Sequence, residues 1–256
     1  MCIRDRKPLH AGRAASNGLL SAVLARGGYT SNTAIIETAQ GFAATHSGEP
    51  ITREDVSALD GRFLIRDTLF KYHASCYLTH APIQAAASIR TRNALDPATI
   101  DDVEVRVHPS LLSVCNIQNP TTGLEGKFSL RATTAMALLG IDTSSSQSFT
   151  DAIVASPEVV AMRERVRIVP TGKAPGTRAE VEVKAGAKRL RADADSGLPW
   201  PDLTAQREAL TTKFLGLVTP IAGTKSARAI ADAALGIDDL PKVAELLTLV
   251  NSHCAN

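Results

Sequence analysis

The stretch "RAEVEVKAGAKRLRADAD", residues 178 to 195, alternates apolar and charged side chains with a period of two. That alternation turns one face of a strand to a core and the other to water. It predicts strands over 178–185 and 188–195. "VEVRVHP" (103–109) and "RVRIVP" (165–170) carry the same pattern. Between them "SLRATTAMALL" (129–139) is helical, with Ser129 as its cap. "RFLIRDTLFK" (62–71) reads as another strand, because Phe63 and Ile65 suit a part-buried pleated surface. Thr79 is expected to cap a helix to about Arg92, with Pro82 tolerated in its first turn.

Outward from this middle region the period becomes helical. Residues 11–26 carry a stripe of small side chains beside Leu19, Leu20, Val23 and Leu24, a face suited to a helix bundle, and Gly27-Gly28 ends the run. A shorter helix is expected over 31–45, and Thr52 to Asp55 offers a capping-box start. Past "SGLPWPD" (196–202), helical patterns run to Leu217, from Ser226 to Leu235, and from Leu240 to Val250. The class is α+β and multidomain: a discontinuous helical domain, 1–61 and 199–256, with an α+β domain, 62–198, inserted in it.

Composition narrows the function. A net charge of +2, with no Lys/Arg stripe interleaved with aromatics, argues against a nucleic-acid binder. The longest apolar run, "GLLSAVLA" (18–25), is too short to span a bilayer, and the first ten residues lack the apolar core of a signal peptide. Four cysteines without a CxxC pair read as reduced thiols, so a cytoplasmic protein that binds neither membrane nor nucleic acid is expected.

Chemistry gathers in "FKYHASCYLTH" (70–80), in a chain with only 4% aromatic residues. Lys71 suits an anionic substrate or, if desolvated, a base; His73 and Cys76 make a candidate base and nucleophile; His80 opens a helix. Incidental Cys/His proximity and ordinary helix capping are the plain alternatives. "KPLHAGRAA" (7–15) sets Lys7, His10 and Arg13 about a helix start, where unpaired N–H groups favour an anion. "GKFSLRATT" repeats the theme with Lys127, Ser129 and Arg131. Basic residues at three helix starts favour a small polyanion as ligand. No HxxxH or HExxH spacing supports a metal, and none is expected.

Taken in order, "KPLHAGRAA", "FKYHASCYLTHAPIQAA", "EGKFSLRATTAMALL" and the closing "LTAQREALTTKF" and "IADAALGIDDLPKVAELL" resemble the MmgE/PrpD family. That family includes 2-methylcitrate dehydratase, cis-aconitate decarboxylase and an iminodisuccinate epimerase. The resemblance implies a helical domain built from both chain ends, an α+β lid, no cofactor, a small di- or tricarboxylate substrate and a homodimer when full length. It makes Lys7 and Lys71 active-site lysines, with His73 and Cys76 as further catalytic candidates. His10, Arg13, His80, Lys127, Ser129 and Arg131 are the substrate-binding candidates. Tyr72-His73-Ala74 replaces the family's usual Pro-aromatic-Pro, and Cys76 stands where the decarboxylase branch has histidine. Water elimination of the 2-methylcitrate type is therefore expected ahead of epimerisation or decarboxylation, with a polyanion-binding or dimerisation module as the non-enzymatic alternative. The chain reads as the C-terminal portion of such an enzyme, and as inert alone.

Overall fold

The computed structural model describes residues 6–47, 61, 63–172 and 175–252. Its sheet follows from the alternation. Strands β1 (Asp102–Val107), β2 (Val166–Pro170), β3 (Arg178–Ala185) and β4 (Lys188–Asp195) line up in the order β2-β1-β3-β4. β1 pairs in parallel with β2 and antiparallel with β3, which in turn pairs antiparallel with β4. β3 and β4 are joined by Gly186-Ala187, where glycine supplies a φ of +56°.

The register places Val103 opposite Val183 and Val105 opposite Val181, all fully buried. Burying each such side chain stabilises the fold by about 1.5–3 kcal/mol. The residues between them form a charged lattice on the other face. Glu104 accepts from Arg106 and Arg167, each at 2.5 Å, and Glu182 is held by Arg189 at 2.8 Å and Arg191 at 2.5 Å.

The described helices are α1 (Arg6–Arg26), α2 (Phe42–His46), α3 (His80–Asn93), α4 (Gly123–Gly126), α5 (Leu130–Leu139), α6 (Asp151–Val154), α7 (Pro157–Glu164), α8 (Leu203–Ala222), α9 (Thr224–Leu235) and α10 (Val243–Asn251). α3 packs on β3, β4 and α5, and α5 also meets α7 and β2. Ala81, Ala85 and Ala86 let α3 sit close, and Ile83, Ile89, Leu130 and Leu138 fill the layer against the valines. Ser129 does cap α5: its hydroxyl accepts from the Ala132 amide at 3.1 Å.

The chain divides into two compact units, Cys2–Thr68 and a larger one from Leu69 to Asn256. In the larger unit α8 packs on α9 and α9 on α10, and Gly223, with a φ of +77°, turns the chain between the first two. In the smaller unit α1 begins at Arg6, not at Ala11, so the KPLH segment is helix rather than a loop ahead of one. Pro8 is tolerated there because first-turn amides have no intrahelical acceptor to lose. Gly27 and Gly28 end α1 as expected, with the Tyr29 amide donating back to the Leu24 carbonyl at 3.0 Å.

Two further expectations fail in this region. The segment from Phe63 makes a single 3-10 turn, Leu64–Asp67, rather than a strand; Phe63 and Ile65 are 73% and 77% exposed, and no described strand pairs with the segment. The helix expected over 31–45 shrinks to Phe42–His46, because turns closed by the Ile35 and Ile36 carbonyls occupy the rest. The capping box at Thr52 lies outside the described residues.

Candidate active site

The turn from Lys71 to Thr79 is pinned from two directions. The Ala74 amide donates to the Thr143 carbonyl at 2.8 Å, and the Cys76 amide donates to the Lys127 carbonyl at 2.9 Å. The Thr79 hydroxyl donates to the Cys76 carbonyl at 2.7 Å and bonds the Ser75 hydroxyl at 2.8 Å. Thr79 thus holds the turn together and makes no side-chain cap on α3, contrary to expectation.

These anchors carry two imidazoles into the interior. The His73 and His80 rings meet edge to face, with centroids 4.9 Å apart. His73 Nδ1 shares a hydrogen bond of 2.8 Å with the Thr143 hydroxyl, while its Nε2 is buried without a partner. His80 is fully buried and neither of its ring nitrogens has a partner of normal geometry. Burial, then the Lys213 ammonium, lowers His73 to a pKa of about 4 against an opposing pull from Asp142. Burial, then His73, Lys71 and Lys213, lowers His80 to about 3, with the Ser75 backbone pulling weakly the other way. Both rings are neutral at pH 7, and unpaired buried nitrogens are costly unless a ligand uses them.

A cationic rim lies beside the rings. Lys213, on α8, donates its ammonium to the Lys71 carbonyl, and the Lys71 ammonium reaches the Ser75 carbonyl at 3.5 Å. Burial and then the Lys71 charge lower the pKa of Lys213. On the other side His80 lines a pocket with Tyr72, Tyr77, Asp195 and Trp200. Trp200, the single tryptophan, stacks on Tyr72 at 4.5 Å, and the Tyr77 hydroxyl donates to the Ser196 carbonyl. The enclosed space is about 20 Å³, room for one water.

Of the residues picked out from sequence, Lys71, His73 and His80 are therefore brought together. Cys76 turns away from them: it hydrogen-bonds Cys115, whose buried thiol is pushed upward first by that bond and then by burial. The expected Cys76–His73 nucleophile and base are not hydrogen-bonded: Nδ1 of His73 is shared with Thr143, its Nε2 has no partner, and the thiol packs against the core. Lys127 sits over the Phe149 ring at 5.7 Å, and Ser129 is fully buried as the α5 cap.

Arg131 lines a different groove, of about 370 Å³, beside β2. There its Nε donates to the Val166 carbonyl at 2.9 Å. Lys7, His10 and Arg13 belong to α1 in the smaller unit; His10 and Arg13 are exposed and the Lys7 side chain lies outside the described residues. Sequence reasoning marked Tyr72 as a departure from the family pattern but gave it no role, and passed over Lys213, Thr143 and Trp200. Only the last had a visible signal, as the lone tryptophan between two prolines. No trio of His, Cys, Asp and Glu among the described residues is arranged to hold a metal ion.

Comparison with known proteins fits this order of motifs. Residues 73–239 match the MmgE/PrpD C-terminal domain, and residues 3–54 match the MmgE/PrpD N-terminal domain. The chain belongs to the MmgE/PrpD family. A cis-aconitate decarboxylase from Aspergillus terreus is 26% identical over 269 residues, covering 96% of this chain and 54% of the relative. A second protein of that description, from Aspergillus terreus (strain NIH 2624 / FGSC A1156), is 25% identical over 273 residues with the same coverage. The chain thus spans about half the length of the curated relatives it matches. In this MmgE/PrpD chain the Lys71–His80 turn falls at the start of the segment matching the C-terminal domain.

Proposed function

We propose that the chain is part of a cofactor-independent lyase that acts on a small di- or tricarboxylate, by water elimination of the 2-methylcitrate dehydratase kind. The observation that carries the reading is the buried neutral pair His73–His80 beside the Lys71 and Lys213 ammonium groups. Elimination removes a proton α to a carboxylate and expels a hydroxyl. Fixed cations stabilise the carbanion-like charge, and imidazoles move the protons.

At pKa values of about 4 and about 3, His73 and His80 are poor bases. A bound polycarboxylate would offset the lysine charges that depress them and raise their affinity for a proton. The substrate would thereby switch on its own acid and base. The enclosed pocket is too small for a tricarboxylate, so the acid would lie at its mouth and send only a small group inward.

On this reading Lys7 is a catalytic lysine of the whole enzyme, and the active species is a cytoplasmic homodimer. Decarboxylation of cis-aconitate is the second reading, favoured by the name of the two relatives. Incubating the chain with 2-methylcitrate, citrate or cis-aconitate and following product by NMR separates them. Water loss supports elimination, CO2 release supports decarboxylation, and exchange of the α-proton alone points to epimerisation. An inert wild-type chain whose full-length homologue is also inert on all three acids would sink the lyase reading.

A further inference from the structure

Lys213 comes from α8 and Lys71 from the turn 142 residues earlier, yet the Lys213 ammonium is fixed on the Lys71 carbonyl. The Lys71 ammonium bends back to the Ser75 carbonyl at 3.5 Å. An ammonium has three donors. Each of these uses one on the protein, and neither has a carboxylate partner among the described residues. The Lys71 charge acts on Lys213 with no counter-ion among the described residues, a repulsion that a bound anion would offset.

A second, independent feature points at the same place. Fully buried His80 leaves both ring nitrogens unpartnered, and His73 leaves its Nε2 so. The charged groups acting on these rings are Lys71 and Lys213 from the rim and Asp142 from behind His73. A cation pair near a neutral imidazole, whose one N–H at His80 has no partner, is complementary to an oxyanion.

We infer that Lys213 is a second substrate-binding cation, which together with Lys71 grips one carboxylate of a small di- or tricarboxylate. This assignment rests on the polycarboxylate reading above and adds the residue that fixes the acid's orientation. Lys213 would hold the carboxylate against the turn so that the reacting carbon faces His73 and His80. The electrostatic load removed by one carboxylate is that of a single ammonium, and a second carboxylate on the same acid removes the other. That favours acids with at least two.

The test is a titration of the whole chain with citrate, cis-aconitate and inorganic phosphate, read by calorimetry and by the emission of Trp200, which stacks on the neighbour of Lys71. Citrate or cis-aconitate should bind the wild type, and Lys213→Met should weaken that binding about tenfold or more, the value of one charge-assisted hydrogen bond. Lys213→Arg should stay near wild type. Without ligand, Lys213→Met should melt no lower than the wild type, because it removes a repulsion. Acid binding unchanged in Lys213→Met overturns the assignment and leaves the polycarboxylate reading standing. Loss of binding with a lowered melting temperature, not recovered by Arg, also overturns it, since Lys213 would then be a structural prop. Phosphate bound in a Lys213-dependent way, with neither acid bound, keeps the cation pair but removes the polycarboxylate reading. No binding of any of the three removes both.

Discussion

The valine layer of the sheet and the histidine turn lie in one compact unit, and they satisfy their buried groups in opposite ways. In the layer, Val103, Val105, Val181 and Val183 bury only hydrocarbon, and the backbone groups between them are paired strand to strand. In the turn, three imidazole nitrogens are buried without a hydrogen-bond partner of normal geometry among the described residues. The layer is a finished structure, whereas the turn gives up stability to keep hydrogen-bonding capacity in reserve. If that contrast is right, the two regions should answer differently to acid, to truncation and to apolar replacement.

Acid should produce the largest effect. Both histidines have folded pKa values below the ordinary 6.5, at about 4 and about 3, so the unfolded chain binds more protons between those values and 6.5. Their contribution is fully present above pH 6.5 and is lost as pH falls toward 4 and then 3. At pH 5 each should cost about 2 kcal/mol, or about 4 kcal/mol together. Urea denaturation at pH 7.5 and pH 5 measures it. His73→Gln with His80→Gln should flatten the slope, and an unchanged slope would show the rings to be solvated.

Next comes the layer itself. Ile83→Ala removes a fully buried side chain of α3 and should cost about 2–5 kcal/mol at any pH from 5 to 8. His80 lies three residues away on the same helix, yet His80→Leu should stabilise by about 1–3 kcal/mol, because it removes two unsatisfied nitrogens without opening a cavity. A loss on His80→Leu would mean that its nitrogens have partners and that the turn is ordinary core.

The same contrast explains what could be read from sequence. β3 and β4 fall at 178–185 and 188–195 as expected, since the period-two pattern and the burial pattern are one signal. The 62–71 segment shows the limit of that signal. Phe63 and Ile65 have a strand's spacing, but a strand also needs a neighbour to take its hydrogen bonds, and spacing says nothing of that. Lys71, His73 and His80 were legible because they are close in sequence. Thr143, Trp200 and Lys213 were not, because only the fold brings positions 70 to 142 residues away onto one turn. Cys76 looked reactive by composition, and only packing shows its thiol facing Cys115.

Ser129 offers the smallest effect and the finest test of the boundary between the two regions. It sits in a segment tied to both: its neighbour Leu130 is core, and the Lys127 carbonyl two residues earlier anchors the Cys76 amide of the turn. Sequence marks Ser129 both as a helix cap and as a substrate ligand. A capping hydroxyl is worth about 1 kcal/mol to the helix it starts, and here the oxygen accepts from Ala132 at 3.1 Å with no surface exposed. Ser129→Ala should therefore lower stability by about 1 kcal/mol in urea while leaving citrate affinity within about twofold of wild type. The reverse pattern, affinity lost with stability kept, would require the hydroxyl to leave Ala132 when ligand binds. The α5 start would then belong to the turn's reserve of unspent hydrogen bonds rather than to the layer.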